Sequence, residues 1–149
     1  MMKLITLTFK LALLVVVPFH WLTLNALAQD KIYQPIAIKE NEAIKDKLTA
    51  ADIPTGEGGF ARDYSIQLNE GDQIAIDLSS DDFDCILILI AEDGTTIAEN
   101  DDSPDNTSNS LLFTRINNAG RYIVRVRAFG QAGSGNFQLK VTKLQAADS

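Results

Sequence analysis

The sequence predicts an all-β fold, an antiparallel two-sheet β-sandwich of jelly-roll type with about eight strands. Three observations carry that prediction. Apolar and polar residues alternate with period two in short segments, turns rich in Gly, Asp, Asn and Ser separate them, and no helical stripe of useful length interrupts them. The alternation starts after an apolar leader, so the first 28 residues are set apart from the fold.

That leader, residues 1–28, has no acidic residue, carries Lys3 and Lys10, and ends in Ala26-Leu27-Ala28. A cationic start, an apolar middle and an A-x-A end are the layout of a secretory signal peptide. The alternative is a leader kept as an anchor, but Lys10 interrupts the apolar run and Pro18 and His20 break its end. Cleavage after Ala28 leaves 121 residues, with 11 basic against 20 acidic side chains and a net charge of −9. No later apolar run of ~20 residues would span a membrane. The expected destination is the medium, the periplasm or the cell surface.

The elements follow in order. Residues 29–42, with Pro35 and no period, read as an extended arm, and the domain runs from 43 to 145 with a short disordered tail, 146–149. A weak strand fits Ala43 to Leu48. Thr49 could cap one helical turn over Ala50 to Ile53, which Pro54 would end. Tyr64, Ile66 and Leu68 alternate with polar neighbours, as do Ile74, Ile76 and Leu78. Asn69-Glu70-Gly71-Asp72 between them is expected to be a hairpin turn. Cys85 to Ile90 is apolar without alternation, so both its faces should be covered and it should be the central strand. Weaker strands fit Thr95 to Ala98 and Ser110 to Ile116. Tyr122, Val124 and Val126 and then Phe137, Leu139 and Val141 complete the set, joined by a wide glycine turn at 130–135.

Composition removes several functions. The one histidine, His20, lies in the leader, so the exported chain has no imidazole base for a Ser-His-Asp or Cys-His system. One cysteine, Cys85, can neither close an intrachain disulfide nor build a thiolate zinc site. The negative balance disfavours nucleic acid and anionic membrane surfaces. Between Asp63 and Thr114 there are 13 acidic residues and no basic one, whereas Arg115 to Ser149 holds six basic and one acidic. In a sandwich these segments interleave, so Arg121, Arg125 and Arg127 are expected near carboxylates such as Asp77.

The loop Glu99 to Asn106 is dense in hard oxygen donors, the set calcium takes at ~2.3–2.6 Å. Asp101, Ser103, Asp105 and Thr107 copy the odd-position spacing of an EF-hand, but Asn106 and Leu112 stand where Gly and Glu are needed, so it is not one. Asp81, Asp82 and Asp84, or Glu40 and Glu42 in the arm, would add oxygens. The alternative is that Asp and Asn simply cap turns. Paired carboxylates also suit glycoside hydrolysis, but a general acid needs apolar burial, and these positions lie in polar loops. The exported chain has no Trp and eight Phe or Tyr, several of them facing inward, so sugar platforms are scarce. An enzyme is therefore not expected.

Several phrases together resemble a known family. They are Asp63 to Leu68, Glu70-Gly71-Asp72, Ile74 to Leu78, Phe83-Asp84, Asp93-Gly94, Asn100-Asp101-Asp102, Asn109-Ser110, Ala119 to Val126 and Gly135 to Leu139. The ordered set is similar to the bacterial pre-peptidase C-terminal domain, over roughly 44–144. The resemblance implies a jelly-roll-like sandwich usually attached to secreted hydrolases, serving secretion, localisation or substrate binding. It also implies calcium in some relatives, carried over here to Asp84, Asn100, Asp101 and Asp102, with Asp105 from the loop and Glu40 and Glu42 as weaker additions. No peptidase accompanies the domain in this sequence, so action in trans is expected. Partners would be an envelope or extracellular polymer or protein, including a secreted peptidase, with the chain a monomer or weak homodimer. The alternative is an assembly protein that pairs through an apolar sheet face made by Ile86, Ile88, Ile90 and Ile123.

Overall fold

The computed structural model describes residues 33–56, 58–104, 107–130 and 133–145. The chain divides into two units, residues 1–34 and 35–149. The second unit holds ten strands, and no helix occurs among the described residues.

The strands are β1 (Ile36–Ala37), β2 (Ala43–Leu48), β3 (Ile53–Pro54), β4 (Phe60–Leu68), β5 (Gln73–Ser79), β6 (Cys85–Ala91), β7 (Thr96–Asn100), β8 (Ser110–Arg115), β9 (Gly120–Ala128) and β10 (Gly135–Lys143). One sheet has the order β1-β4-β9-β6-β7, with β3 also on β4; the other has β2-β10-β5-β8. Eight of these strands are those the sequence predicts. β1 and β3 are two-residue additions, and β1 ties the arm to β4 in parallel, with Ile36 opposite Tyr64.

Period-two spacing places the core. Tyr64, Ile66, Leu68, Cys85, Leu87, Leu89, Val124 and Val126 from the first sheet meet Leu48, Ile74, Ile76, Leu78, Leu112, Phe137, Leu139 and Val141 from the second. Side chains of this kind, removed from water, stabilise the fold by about 1.5–3 kcal/mol each for the larger ones. Tyr64 and Phe83 both set their rings edge-on to Phe137, at 6.3 and 6.2 Å, and so fix the packing of the two layers there.

Three expectations need correction. The turn at 69–72 is not a hairpin, because β4 and β5 belong to different sheets. It crosses the sandwich and is secured by Gly71 N–H donating to Ile116 O (2.7 Å) and Asn69 N–H to the Asp72 carboxylate (2.9 Å). The glycine connection before β10 crosses in the same way. Alternation tells which residues face the core, and two strands facing one core from opposite sheets show the same pattern as two in one sheet.

Residues 50–52 form a turn in place of a helical one. Thr49 donates N–H and hydroxyl to Asp52 Oδ2 at 2.7 and 3.0 Å, and Ile53 enters β3 at once. The apolar run at 85–90 is β6, which lies between β9 and the edge strand β7, while β9 holds the middle. Its unbroken apolarity nevertheless reads correctly as burial on both faces: Ile86 and Ile88, outside the core cluster, are 8% and 7% exposed.

Charge placement follows the register. Arg125 stands opposite Asp63 and grips it with two bonds of 2.8 Å, and Arg121 reaches Glu92 at 3.5 Å. Asp77, the expected neighbour, lies in the other sheet opposite Lys140.

Candidate functional site at the loop end of the sandwich

The ends of β5, β7 and β9 and the starts of β6, β8 and β10 all lie at one end of the sandwich, as their registers require. The described connecting residues 80–84, 101–104, 107–109, 129–130 and 133–134 are therefore brought together there. Asp81, Asp82, Asp84, Asp101 and Asp102 are all exposed at this end.

The loops are tied by backbone and amide contacts. Cys85 N–H donates to Ser108 O at 2.8 Å, and Phe129 N–H to Asp84 O at 2.8 Å. Asn100 Nδ2 donates to Asp102 O (2.8 Å) and Leu111 O (2.7 Å), while Ser110 hydroxyl donates to Asn100 O (2.7 Å). Asn100 thus spends its amide holding the loop in shape. The carboxylates of Asp84, Asp101 and Asp102 stay exposed to solvent.

Of the further residues singled out, Asp105 lies outside the described residues. Glu40 and Glu42 precede Ala43, which pairs with Lys140, whereas the loop end is marked by Leu48 opposite Gly135. They belong to the far end of β2 and do not join the Asp84 loop. Among the described residues no group of three or more His, Cys, Asp and Glu is placed to hold a metal ion.

A second set of residues, of which the sequence singles out only Asp82, organises this end. Ser80, buried, donates its hydroxyl to Asn136 O (2.7 Å) and accepts from Asp82 N–H (3.0 Å) and Phe83 N–H (3.2 Å). Its own N–H donates to Asn109 Oδ1 at 3.1 Å. Asp82 Oδ2 accepts from Asn136 N–H (2.7 Å) and Nδ2 (3.0 Å). Asp82 is therefore committed to the backbone of β10. The signal was present in the sequence, since Asn109 and Asn136 both fall within the family-like phrases. Beside this network lies an open depression of about 720 Å³, lined by Lys45, Lys47, Ser79, Asp81, Asn136 and Gln138 among others.

Behind it sits an ionic cluster between the sheets. Arg62 contacts Asp46 at 2.5 Å and Asp52 at 2.8 Å, and Tyr64 hydroxyl donates to Asp46 at 2.8 Å. Burial works to raise the Asp46 carboxyl, but the Lys47 N–H, the Tyr64 hydroxyl and the Arg62 guanidinium outweigh it and hold the group below the ordinary carboxylate range. Burial and then Asp46 drive Tyr64 well above the normal phenol value. Burial, with some help from Asp84, pushes the Cys85 thiol up to about 12. That thiol is inert packing rather than a nucleophile.

The architecture is thus a two-sheet β-sandwich whose acidic loop end is braced by Ser80, Asn100, Asn109 and Asn136. Residues 61–128, from β4 to β9, match the model of the bacterial pre-peptidase C-terminal domain. Among solved structures the chain is similar to the pre-peptidase C-terminal domain of a collagenase from Bacillus anthracis. Identity there is 17% and the TM-score 0.56, over 73% of this chain and 95% of that one. It is also similar to Aeromonas hydrophila PliG, a periplasmic lysozyme inhibitor of g-type lysozyme, at 12% identity and a TM-score of 0.53, over 74% and 98%. At such identities the likeness is one of fold. Comparison with curated proteins finds no match.

Proposed function

We propose that this protein is an exported, non-catalytic binding or targeting module that acts in trans, presenting the loop end to an extracellular or envelope polymer or protein, a secreted peptidase among them. The observation that carries this reading is the state of the acidic end: Asp84, Asp101 and Asp102 are exposed on loops that Asn100, Ser80 and Asn136 hold in shape. Exposed carboxylates on a braced frame suit recognition. Acid catalysis at neutral pH needs a carboxyl raised by apolar surroundings, which these positions lack. The two similar structures agree with such a role, one being a domain of a collagenase and the other an inhibitor of an enzyme. Burial of Ile86, Ile88 and Ile123 speaks against the alternative of assembly through that apolar face.

The test is capture of peptidoglycan, polysaccharide, collagen and secreted proteins by the purified protein beside a variant carrying Asp84→Lys, Asp101→Lys and Asp102→Lys. Retention that falls with salt and is lost in the variant supports the proposal; equal retention by both proteins, or none by either, refutes it. Calcium at this loop is part of the same proposal. A ligand that binds the folded state at 100 times its Kd adds about 2.7 kcal/mol, so calcium should raise the melting midpoint relative to chelator. An unchanged midpoint removes the metal.

A further inference from the structure

Sheet edges expose unpaired N–H and C=O groups, and folded proteins usually blunt them with charge, proline, bulges or shortness. Here β1 and β3 are two residues long, β7 carries Glu99 and faces a register shift at Leu89/Ile90, and β2 carries Lys45, Asp46 and Lys47. The edge strand β8 is different. From Ser110 to Thr114 it has no charge, no proline and no bulge, and the ring of Phe113 is 62% exposed.

Its backbone has a definite direction. Leu111 N–H donates to Asp102 O at 3.0 Å and Leu111 O accepts from Asn100, so Leu111 turns both groups away from β5. The N–H and C=O of one strand residue point the same way and successive residues alternate. Phe113 and Arg115 therefore turn theirs to the same open side, beyond the point where the Asn100 loop closes the edge.

We propose that two copies of this chain join through β8, antiparallel about a two-fold axis at Thr114, so that the second sheet runs continuously across the dimer. In that register Phe113 faces Arg115 of the second copy and Arg115 faces its Phe113, and each pair exchanges both of its N–H···O bonds. Every edge group left open by Asn100 and Asp102 is used, and no group already bonded is disturbed. The occupant is a second β8 because the strand is its own complement: each guanidinium meets an exposed ring across the seam, a favourable cation–π arrangement, and the two arginines never oppose each other. A seam of this length makes a weak dimer. It is separate from the acidic loop end and leaves that end free.

The experiment is sedimentation of the purified protein from micromolar to millimolar concentration, beside Phe113→Pro. Proline deletes an N–H that points away from β5, a place an edge strand tolerates, so the variant keeps its ladder. The result expected is a monomer–dimer equilibrium in the wild type and a monomer with a cooperative melt in the variant. Oxidation of Thr114→Cys reads the register independently, because opposed residues at a non-hydrogen-bonded pair bring their Cβ atoms to about 4.5–5.5 Å. Thr114→Cys should cross-link faster than Phe113→Cys, and buried Cys85 does not compete. A wild type that stays monomeric, as it would if the edge served a foreign extended segment, overturns the proposal. So does a dimer that survives Phe113→Pro, or equal cross-linking by the two cysteine variants.

Discussion

Gly135 is fixed by its neighbour Asp82. Its φ is +148°, and a Cβ added there would stand 2.2 Å from the Cβ of Asp82. Moving Asp82 would in turn release Asn136 and loosen the hold on β10. Gly135→Ala should therefore cost about 3 kcal/mol, combining backbone strain with overpacking, and lower the melting midpoint by roughly 10–20 °C. A thermal melt checks it, and an unchanged midpoint would show that the loop yields without cost. Asp46 gives a pH signature at the same scale. Its folded pKa lies below the unfolded value, so the stability it contributes is present above the ordinary carboxylate pKa near 3.8 and is lost as pH falls through the lower folded value. Wild type and Asp46→Asn should differ in midpoint at neutral pH and converge in strong acid. A constant gap across that window would assign the effect to packing.

At the scale of elements, the connections decide the topology. The 69–72 crossing uses Gly71 at φ +87°, with no atom within 4 Å of an added Cβ. The penalty for a side chain there is purely conformational. Gly71→Ala should cost about 1 kcal/mol and Gly71→Asn less, since Asn tolerates the left-handed region; equal midpoints for the two variants in a denaturant titration would contradict this. Gly71 was legible as a turn residue, and the strands on either side were legible from Tyr64-Ile66-Leu68 and Ile74-Ile76-Leu78. Their assignment to different sheets was not, because facing the core is a property each strand has alone while pairing is shared with Val124 or Val141 far along the chain. The acidic loop was legible in the same limited way. Donor types could be read, but the use of Asn100 and Asp82 as braces depends on carbonyls and amides at Leu111 and Asn136 that only the register brings near.

At the scale of the whole molecule, Cys85 offers one reporter of how the sandwich opens. It starts β6, pairs with Ala128 of β9, and is fully buried against the core. Its thiol is pushed up to about 12, so the native state holds almost no thiolate at pH 8. Labelling by a disulfide reagent then requires an opening that exposes the thiol to water. Two openings compete. Release of the loop end would free the start of β6 with little new surface exposed, whereas separation of the sheets would expose most of what folding buries. Contacts at that end favour the second: Cys85 N–H is held by Ser108, Asp84 O by Phe129, and Phe83 packs its ring on Phe137. Labelling in moderate urea should therefore proceed with a denaturant dependence equal to the equilibrium m-value, and with an opening free energy equal to that of global unfolding. A shallow dependence would locate the weak point at the loop end. The same measurement on Gly135→Ala should show that shallow component, because loosening Asp82 and Asn136 lets the end open ahead of the sheets.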